Sequence, residues 1–276
     1  MIRARITGAV KVGGIVGNPV THSLSPVIHN GWIEAAGMDA AYVAFSPRDA
    51  AGFETLLAAG RAGLLSGVNV TAPFKEQAFA LADSASGTAR DSGSANILVF
   101  RDGEVRADSA DGLGLLRALQ EQAPKLSLAG SPVVILGAGG AARAAAAALA
   151  GAGARVRIVN RTRDRAEALA ADLGGSVSVA EGPAAFYGAA LVVNALSVRP
   201  EMDLAALDPD TTVMDMTYRP VITPFLQAAR DVGLTTVDGL AMLIGQAEPS
   251  FEAIFGVPPP ALDPRPLLLA HLGEAA

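Results

Sequence analysis

Short apolar runs with the composition of buried strands alternate with helical patterns along almost the whole chain, and this alternation limits the possible folds more than any other feature. It is most regular after residue 111, where strands are predicted at Val133–Leu136, Arg155–Val159, Leu191–Asn194 and Thr212–Asp215. Strands that alternate with helices form right-handed βαβ units on a parallel sheet. The sequence therefore predicts an α/β protein.

The first part of the chain shows the same alternation and one further signal. Asp102-Gly103 separates two apolar runs, and this dipeptide is typical of a two-residue β-hairpin turn. A change of pattern near Asp111 predicts two α/β domains, one of residues 1–110 and one of residues 111–240. In the tail, Gly239–Phe255 and Pro264–Leu272 are predicted to be helical, and their pattern alone allows them to pack on either domain.

The composition argues against several classes of function. The 276 residues include no cysteine and three histidines, and the formal net charge is −6. Disulfides and cysteine-built zinc sites are thereby excluded, and a histidine-built metal site is disfavoured. An acidic chain without basic runs is not typical of nucleic-acid binding. The most apolar stretch, Val133–Ala154, is rich in alanine and glycine and contains Arg143, unlike a membrane span. We therefore expect a soluble cytoplasmic protein without a metal.

A glycine-rich turn comes directly after the predicted strand Val133–Leu136. Gly137, Gly139 and Ala142 fit the pattern G-x-G-x-x-G/A of dinucleotide-binding βα turns. The first glycine permits the tight turn, the second lets the backbone approach a pyrophosphate, and the alanine lets helix and strand pack closely. The same spacing also occurs in βα turns that bind nothing, so the motif alone does not establish a dinucleotide site.

The residues after the next predicted strand indicate which dinucleotide would bind. An NAD-specific site carries Asp or Glu about 20 residues after the first glycine, where it holds the ribose 2′-hydroxyl. Here the strand ends at Asn160-Arg161-Thr162, and Arg163 and Arg165 come soon after. Guanidinium groups suit an anionic 2′-phosphate, so the sequence predicts NADP. The alternative is a solvated basic helix start, although positive charge there opposes the helix dipole.

Several polar residues of the first half lie at strand ends or helix starts, the rim where open α/β sheets bind ligands. They are Ser23, Ser25, Asn69, Thr71, Lys75, Asn96 and Asp111. Each also has a purely structural interpretation. Ser25 would be the N-cap of a helix that begins at Pro26, Asp111 the N-cap of the next domain's first helix, the asparagines turn residues, and Lys75 a surface lysine.

The combination of these segments resembles the shikimate dehydrogenase family over nearly the whole chain. The matching segments are Gly17-Asn18-Pro19-Val20, His22-Ser23-Leu24-Ser25-Pro26, His29-Asn30, Gly67–Lys75, Asp111-Gly112-Leu113-Gly114, Gly137–Ala142, Asn160-Arg161-Thr162, Asp215–Pro220, and Asp238–Leu243 with Gln246. The resemblance implies an N-terminal α/β substrate domain, a Rossmann-type doubly wound NADP domain, and C-terminal helices in 241–276 that return to complete the first domain.

The resemblance also implies an activity and a role for each matched residue. The family reduces 3-dehydroshikimate to shikimate with NADPH, a step toward aromatic amino acids. Lys75 and Asp111 would be the catalytic pair. Ser23 and Ser25 would bind the substrate carboxylate, with Thr71 and Tyr218 nearby. The ring hydroxyls would be held by Asn69, Asn96, Asp111 and Gln246. NADP would be bound by Gly137, Ala138, Gly139, Gly140, Ala141, Asn160, Arg161, Thr162, Arg165, Met216 and Gly239.

Five positions depart from the usual family residues and keep two other functions open. They are Ile97, Ala110 and Leu196, where threonine is usual, Ser109, where asparagine is usual, and Gly245, where histidine is usual. A paralogue that oxidises quinate or an amino-substituted shikimate would differ at positions of this kind. A non-catalytic NADP-binding sensor would not need Lys75 and Asp111. The family resemblance admits monomers and homodimers.

Overall fold

The computed structural model describes residues 6–196 and 198–274. They form two compact units, one of residues up to 110 together with those from 246 onward, and one of residues 111–245. Within the described residues, no helix is both long and apolar enough to cross a membrane. The two units each contain a six-stranded sheet with helices packed on it, which confirms the predicted α/β fold class.

The first unit is built on a mixed sheet. Its elements are β1 (Lys11–Val16), α1 (Ser25–Ala35), β2 (Ala40–Phe45), α2 (Ala50–Arg61), β3 (Gly67–Val70), α3 (Lys75–Ala80), β4 (Ser84–Ala85), α4 (Gly87–Ser92), β5 (Ile97–Arg101) and β6 (Glu104–Asp108). The strand order is β2-β1-β3-β5-β6-β4. β1, β2 and β3 run parallel, whereas β5 is antiparallel to β3. The start of β5 therefore lies at the same edge as the end of β3.

Local sequence signals in this unit have mixed outcomes. The hairpin is confirmed, because β5 and β6 pair antiparallel and Asp102 and Gly103 both have positive φ, of 54° and 81°. The N-cap assigned to Ser25 is wrong. Helix α1 already includes Ser25, and the Oγ of Ser23 accepts the backbone N–H of Ser25 instead, at 3.2 Å. A hydroxyl two residues upstream thus holds the first turn.

The second unit is a doubly wound parallel sheet. Its elements are α5 (Asp111–Gln122), β7 (Pro132–Leu136), α6 (Gly140–Gly151), β8 (Arg155–Val159), α7 (Arg163–Leu173), β9 (Val177–Val179), β10 (Leu191–Asn194), β11 (Thr212–Asp215), α8 (Pro224–Asp231) and β12 (Thr235–Val237). The strand order is β12-β11-β10-β7-β8-β9. The chain adds β8 and β9 on one side of β7 and then β10, β11 and β12 on the other side, so the order of the strands reverses between β7 and β10. Open α/β sheets bind ligands at such a switch point.

The central strand β7 is buried on both faces. Val133 and Ile135 pack with α5, α6 and α7 on one side, and Val134 and Leu136 pack with α8 on the other. This explains why β7 reads as an uninterrupted apolar run rather than an alternating one. Helix α9 (Gly239–Phe255) begins in the second unit and continues into the first, where α10 (Arg265–Leu272) follows.

A buried histidine stands among aromatic rings in the first unit. His29 on α1 is 1% exposed and stacks on Tyr42 with ring centroids 4.0 Å apart and planes inclined by 5°. Trp32 and Phe251 also contact its ring. Its Nδ1 has no hydrogen-bond partner among the described residues. Burial lowers the pKa of His29 from 6.5 to about 3, so the folded protein holds the imidazole neutral.

We expect this histidine to make stability fall on acidification. Between pH 6.5 and about 3, the unfolded chain binds a proton at His29 that the folded chain does not. The free energy of unfolding should therefore decrease as the pH falls through this window, by at most about 1.4 kcal/mol per pH unit from this group. Urea unfolding at pH 7 and at pH 4.5 measures the loss.

The His29→Phe variant keeps a ring in the stack but cannot bind a proton. Its free energy of unfolding should depend less steeply on pH than that of the wild type. Replacing the exposed His271 by phenylalanine is the matched control and should leave the wild-type dependence unchanged. An equal loss in wild type and His29→Phe would show that this imidazole does not contribute.

Candidate functional site

The turn between β7 and α6 has the geometry of a phosphate-binding turn. Gly137 has φ +116°, a conformation that L side chains rarely adopt. A Cβ at Gly139 or Gly140 would meet no atom within 4 Å, so the backbone here is open to approach. Ala142 is fully buried in the core between helix and sheet. The turn therefore presents the N-terminal N–H groups of a twelve-residue helix at the carboxyl edge of the sheet.

The arginines after β8 fall into two groups. Arg163 is held by two carboxylates, with Nε 2.6 Å from Oε1 of Glu167 and Nη1 2.8 Å from Oε1 of Glu181. These contacts raise the pKa of Arg163 and offset its position at the N-terminus of α7. The side chains of Arg161 and Arg165 are exposed and form no hydrogen bond or ion pair with any residue that the structure describes. The basic helix start thus has one neutralised arginine and two available ones.

A buried carboxylate organises the ends of β10 and β11. Asp215 is 2% exposed, and its Oδ1 accepts from Nδ2 of Asn194 at 3.1 Å and from the N–H and hydroxyl of Thr217 at 3.0 and 2.9 Å. Its Oδ2 accepts from the hydroxyl of Thr223 at 2.7 Å. Four hydrogen bonds compensate the burial of this charge and fix the backbone around Met216.

Gly239 lies against that backbone. A Cβ at this position would come within 2.6 Å of the carbonyl oxygens of Met216 and Thr217, so only glycine fits. Tyr218 follows in the same unit and is half-buried. Asn160 belongs to the edge after β8, where its Nδ2 donates to the carbonyl of Thr162 at 2.8 Å. Ala138 belongs to the glycine turn itself, and Ala141 is the second residue of α6.

The polar edge of the first unit is formed where β1 and β3 end and β5 begins. Thr71 follows β3, and its N–H donates to the carbonyl of Val16 at the end of β1, at 2.9 Å. Lys75 is the first residue of α3 and is half-buried. Ser23 and Ser25 lie at the start of α1, the latter 7% exposed. The structure therefore collects these predicted substrate residues within one unit.

Three predicted amide residues of this edge join one buried network. Asn69 is 9% exposed, and its Nδ2 donates to the carbonyl of Asn96 at 3.0 Å and to Oγ of Ser250 at 2.9 Å. Nδ2 of Asn96 donates to Oε1 of Gln246 at 2.9 Å. The hydroxyl of Tyr42 donates to Oδ1 of Asn69 at 2.8 Å. Each side chain is thereby fixed by another one in the network.

Tyr42 and Ser250 were not among the predicted site residues. Both had a recognisable signal in the sequence. Tyr42 stands two residues after the buried Ala40 on β2, so its ring faces the core and its hydroxyl needs a partner there. Ser250 follows Gln246 by four positions on α9, which places both on one face of the helix.

The predicted catalytic residues belong to different units. Lys75 lies in the first unit, and Asp111 is the first residue of α5 in the second, where it is 5% exposed. Ala110 ends the first unit, and its N–H donates to Oδ1 of Asn96 at 2.8 Å. The residue before Asp111 is therefore anchored to a predicted substrate residue. Among the described residues, no cluster of histidine, aspartate and glutamate could hold a metal ion.

Comparisons with known proteins cover both units. A family model described as the shikimate dehydrogenase substrate binding domain matches residues 15–98, and one described as shikimate / quinate 5-dehydrogenase matches residues 118–242. The curated shikimate dehydrogenase (NADP(+)) of Caulobacter vibrioides (strain NA1000 / CB15N) is 52% identical over 282 residues, which cover 98% of each chain.

Solved structures agree with these matches. The shikimate 5-dehydrogenase of Thermus thermophilus, in complex with NADP(H) and shikimate, is 33% identical with a TM-score of 0.83, over 93% of this chain and 97% of that one. The quinate dehydrogenase of Corynebacterium glutamicum, in complex with NAD, is 28% identical with a TM-score of 0.85, over 96% of this chain and 99% of that one. The chain belongs to the shikimate dehydrogenase family.

Proposed function

We propose that this protein catalyses the reversible, NADP-dependent reduction of 3-dehydroshikimate to shikimate in aromatic amino acid biosynthesis. The observation that carries the proposal is the 52% identity, over 98% of both chains, to a curated shikimate dehydrogenase (NADP(+)). The chain also keeps the lysine, aspartate and serines that the family resemblance assigns to catalysis and substrate binding. A cytoplasmic location is part of the same proposal.

The second unit would bind NADP. The N–H groups at the start of α6 would hold the pyrophosphate, because the backbone at Gly139 and Gly140 is open to approach. Arg161 and Arg165 would hold the 2′-phosphate, since neither is engaged by a described carboxylate. Met216 and Gly239 would contact the nicotinamide end, where the Asp215 hydrogen bonds fix the backbone. When bound, the nicotinamide supplies the hydride.

The first unit would bind the ring. The hydroxyls of Ser23 and Ser25 would donate to the substrate carboxylate, with Thr71 and Tyr218 also in contact with it. Asn69, Asn96 and Gln246 would hold ring hydroxyls, since their amides are held by one hydrogen-bond network. Such fixed donors and acceptors orient a polyhydroxylated ring at a small entropic cost.

Lys75 and Asp111 would carry the proton chemistry. Hydride arrival at the carbonyl carbon places negative charge on the oxygen, and a cationic lysine within hydrogen-bond distance stabilises that charge and delivers a proton. A neighbouring carboxylate favours the charged form of the lysine. Asp111 would also hold a ring hydroxyl, so the same residue would orient the substrate beside the proton donor.

The quinate dehydrogenase of Corynebacterium glutamicum is similar to this chain over nearly its whole length, so quinate is the second candidate substrate. An absorbance assay of the nicotinamide, with shikimate or quinate against NADP or NAD, separates the candidates. Turnover with shikimate and NADP is expected. Turnover with quinate but not with shikimate, or with NAD but not with NADP, would identify a paralogue. Binding of NADP without turnover of any pair would indicate the sensor.

Removing the proposed proton donor should abolish most of the activity. Positioned acid–base catalysis contributes about 10²–10⁴ in rate, so the Lys75→Ala variant should lose kcat by at least a hundredfold. The Michaelis constant for NADP should change little, because Lys75 lies in the unit proposed to bind the ring. Steady-state kinetics of shikimate oxidation measures both.

The matched control is Lys125→Ala, which removes an exposed lysine outside the proposed site. Its kinetics should equal those of the wild type. A Lys75→Ala variant that is folded and retains more than a tenth of the wild-type kcat would contradict the catalytic assignment.

Replacing an arginine from each of the two groups should affect NADP binding differently. Arg161→Ala should raise the Michaelis constant for NADP by roughly 10–100-fold, because a hydrogen bond to a charged group contributes about 1.5–3 kcal/mol. The constant for NAD should not rise, since NAD has no 2′-phosphate. Arg163→Ala is the matched control and should leave the NADP constant nearly unchanged, because that guanidinium is already engaged by Glu167 and Glu181. Equal effects of both substitutions would overturn this distinction.

A further inference from the structure

Tyr42 has no role in the proposed reaction, but it forms a hydrogen bond with Asn69, which is proposed to bind the substrate. It lies on β2, is 2% exposed, and donates its hydroxyl proton to Oδ1 of Asn69 at 2.8 Å. Its ring is held by the stack on His29. The direction of this hydrogen bond is set by the backbone groups at the far end of the network, which leave no alternative.

The direction of the hydrogen bond between Tyr42 and Asn69 follows from the backbone carbonyl of Gln246. Oγ of Ser250 donates its single proton to the backbone oxygen of Gln246 at 2.9 Å, because a carbonyl can only accept. The hydroxyl of Ser250 must then accept from Asn69, which requires the NH₂ group of that amide to face it, at 2.9 Å. The second proton of the same NH₂ group meets the carbonyl of Asn96 at 3.0 Å. Oδ1 of Asn69 therefore faces Tyr42, and Tyr42 must donate.

A backbone donor sets the orientation of the Asn96 and Gln246 amides in the same way. The N–H of Ala110 can only donate, so Oδ1 of Asn96 faces it at 2.8 Å. The NH₂ group of Asn96 then faces Gln246, whose Oε1 accepts at 2.9 Å. The amide nitrogen of Gln246 is consequently turned away from Asn96. The network thus fixes the polarity of both amides: its contacts leave an acceptor lone pair on Oδ1 of Asn69 and the donors on Nε2 of Gln246.

We propose that Tyr42 is a positioning residue for the ring substrate: together with Ser250 it fixes the Asn69 amide so that only its oxygen is left to meet the substrate, as an acceptor. The inference rests on the proposed function, because a ring hydroxyl is the group that Asn69 is to bind. A hydroxyl can donate to Oδ1, whereas a carbonyl oxygen cannot. Asn69 therefore recognises a hydroxyl that does not react, while the amide of Gln246 donates.

The surroundings keep Tyr42 in its donor state. Burial raises the pKa of Tyr42 well above its ordinary value, an effect that the Ser25 side chain opposes. The phenol therefore keeps its proton at neutral pH, and that proton is available to Asn69. The other side chains of the network are amides and a serine hydroxyl, which do not ionise, and the His29 ring stacked on Tyr42 is neutral.

The Tyr42→Phe variant tests the inference, because it deletes one hydroxyl and keeps the stacked ring. Its Michaelis constant for shikimate should rise about tenfold, the equivalent of one hydrogen bond, while the constant for NADP stays unchanged. The matched control is Tyr187→Phe, which deletes the hydroxyl of a tyrosine that is 71% exposed and should behave as wild type. Thermal unfolding of each variant confirms that it is folded.

A double-mutant cycle separates positioning from general stability. If Tyr42 acts through Asn69, the double variant Tyr42→Phe/Asn69→Ala should have a Michaelis constant for shikimate less than twice that of Asn69→Ala. Should Asn69→Ala fail to fold, the cycle with Ser250→Ala replaces it, and the two effects should again be less than multiplicative. Fully multiplicative effects, or a Tyr42→Phe variant equal to wild type, would overturn the inference alone. A wild-type protein that oxidises neither shikimate nor quinate would overturn the proposed function, and the inference with it.

Discussion

A buried amide must have its hydrogen bonds satisfied, and this requirement organises the polar edge of the first unit. Leaving one buried donor or acceptor unpaired costs about 1–3 kcal/mol, a large fraction of the stability of an ordinary domain. Asn69 and Asn96 are almost fully buried. Asn69 finds partners on β2 and α9, and Asn96 finds partners on β3 and α9. Elements that are distant in sequence are therefore held in register by the same groups that would meet the substrate.

The second unit also contains a buried polar group whose hydrogen bonds must be satisfied, in this case a carboxylate. Asp215 is buried at the end of β11 and is compensated by Asn194, Thr217 and Thr223. Both networks stand where parallel strands end, the edge at which side chains from neighbouring strands converge. Polar residues are thus concentrated at the two edges proposed to bind ligands, in a chain of which 51% of residues are hydrophobic.

The parts of this arrangement that depend on local sequence could be predicted, and the parts that depend on distant partners could not. The glycine turn at Gly137 and the hairpin at Asp102-Gly103 require specific backbone angles, and those leave a signature in neighbouring residues. The state of Arg163 depends on Glu181, which is 18 positions away. The hydrogen bond of Asn69 to Ser250 joins residues 181 positions apart. No periodicity or motif reports such a pairing, so a sequence pattern could suggest Asn69 but not its orientation.

The departures from the usual family residues are not equivalent once their surroundings are known. Ile97 is fully buried on β5, so it contributes to packing rather than to a ligand contact. A side chain at position 245 would bring its Cβ within 3.2 Å of Arg117 and of the carbonyl of Gly114, so glycine there reflects the close approach of α5 and α9. Ala110 is buried as well, at 4% exposed, and the group that it offers to Asn96 is its backbone N–H. Threonine would offer the same donor, so the exchange of threonine for alanine leaves the orientation of the Asn96 amide, and through it that of Gln246, unchanged.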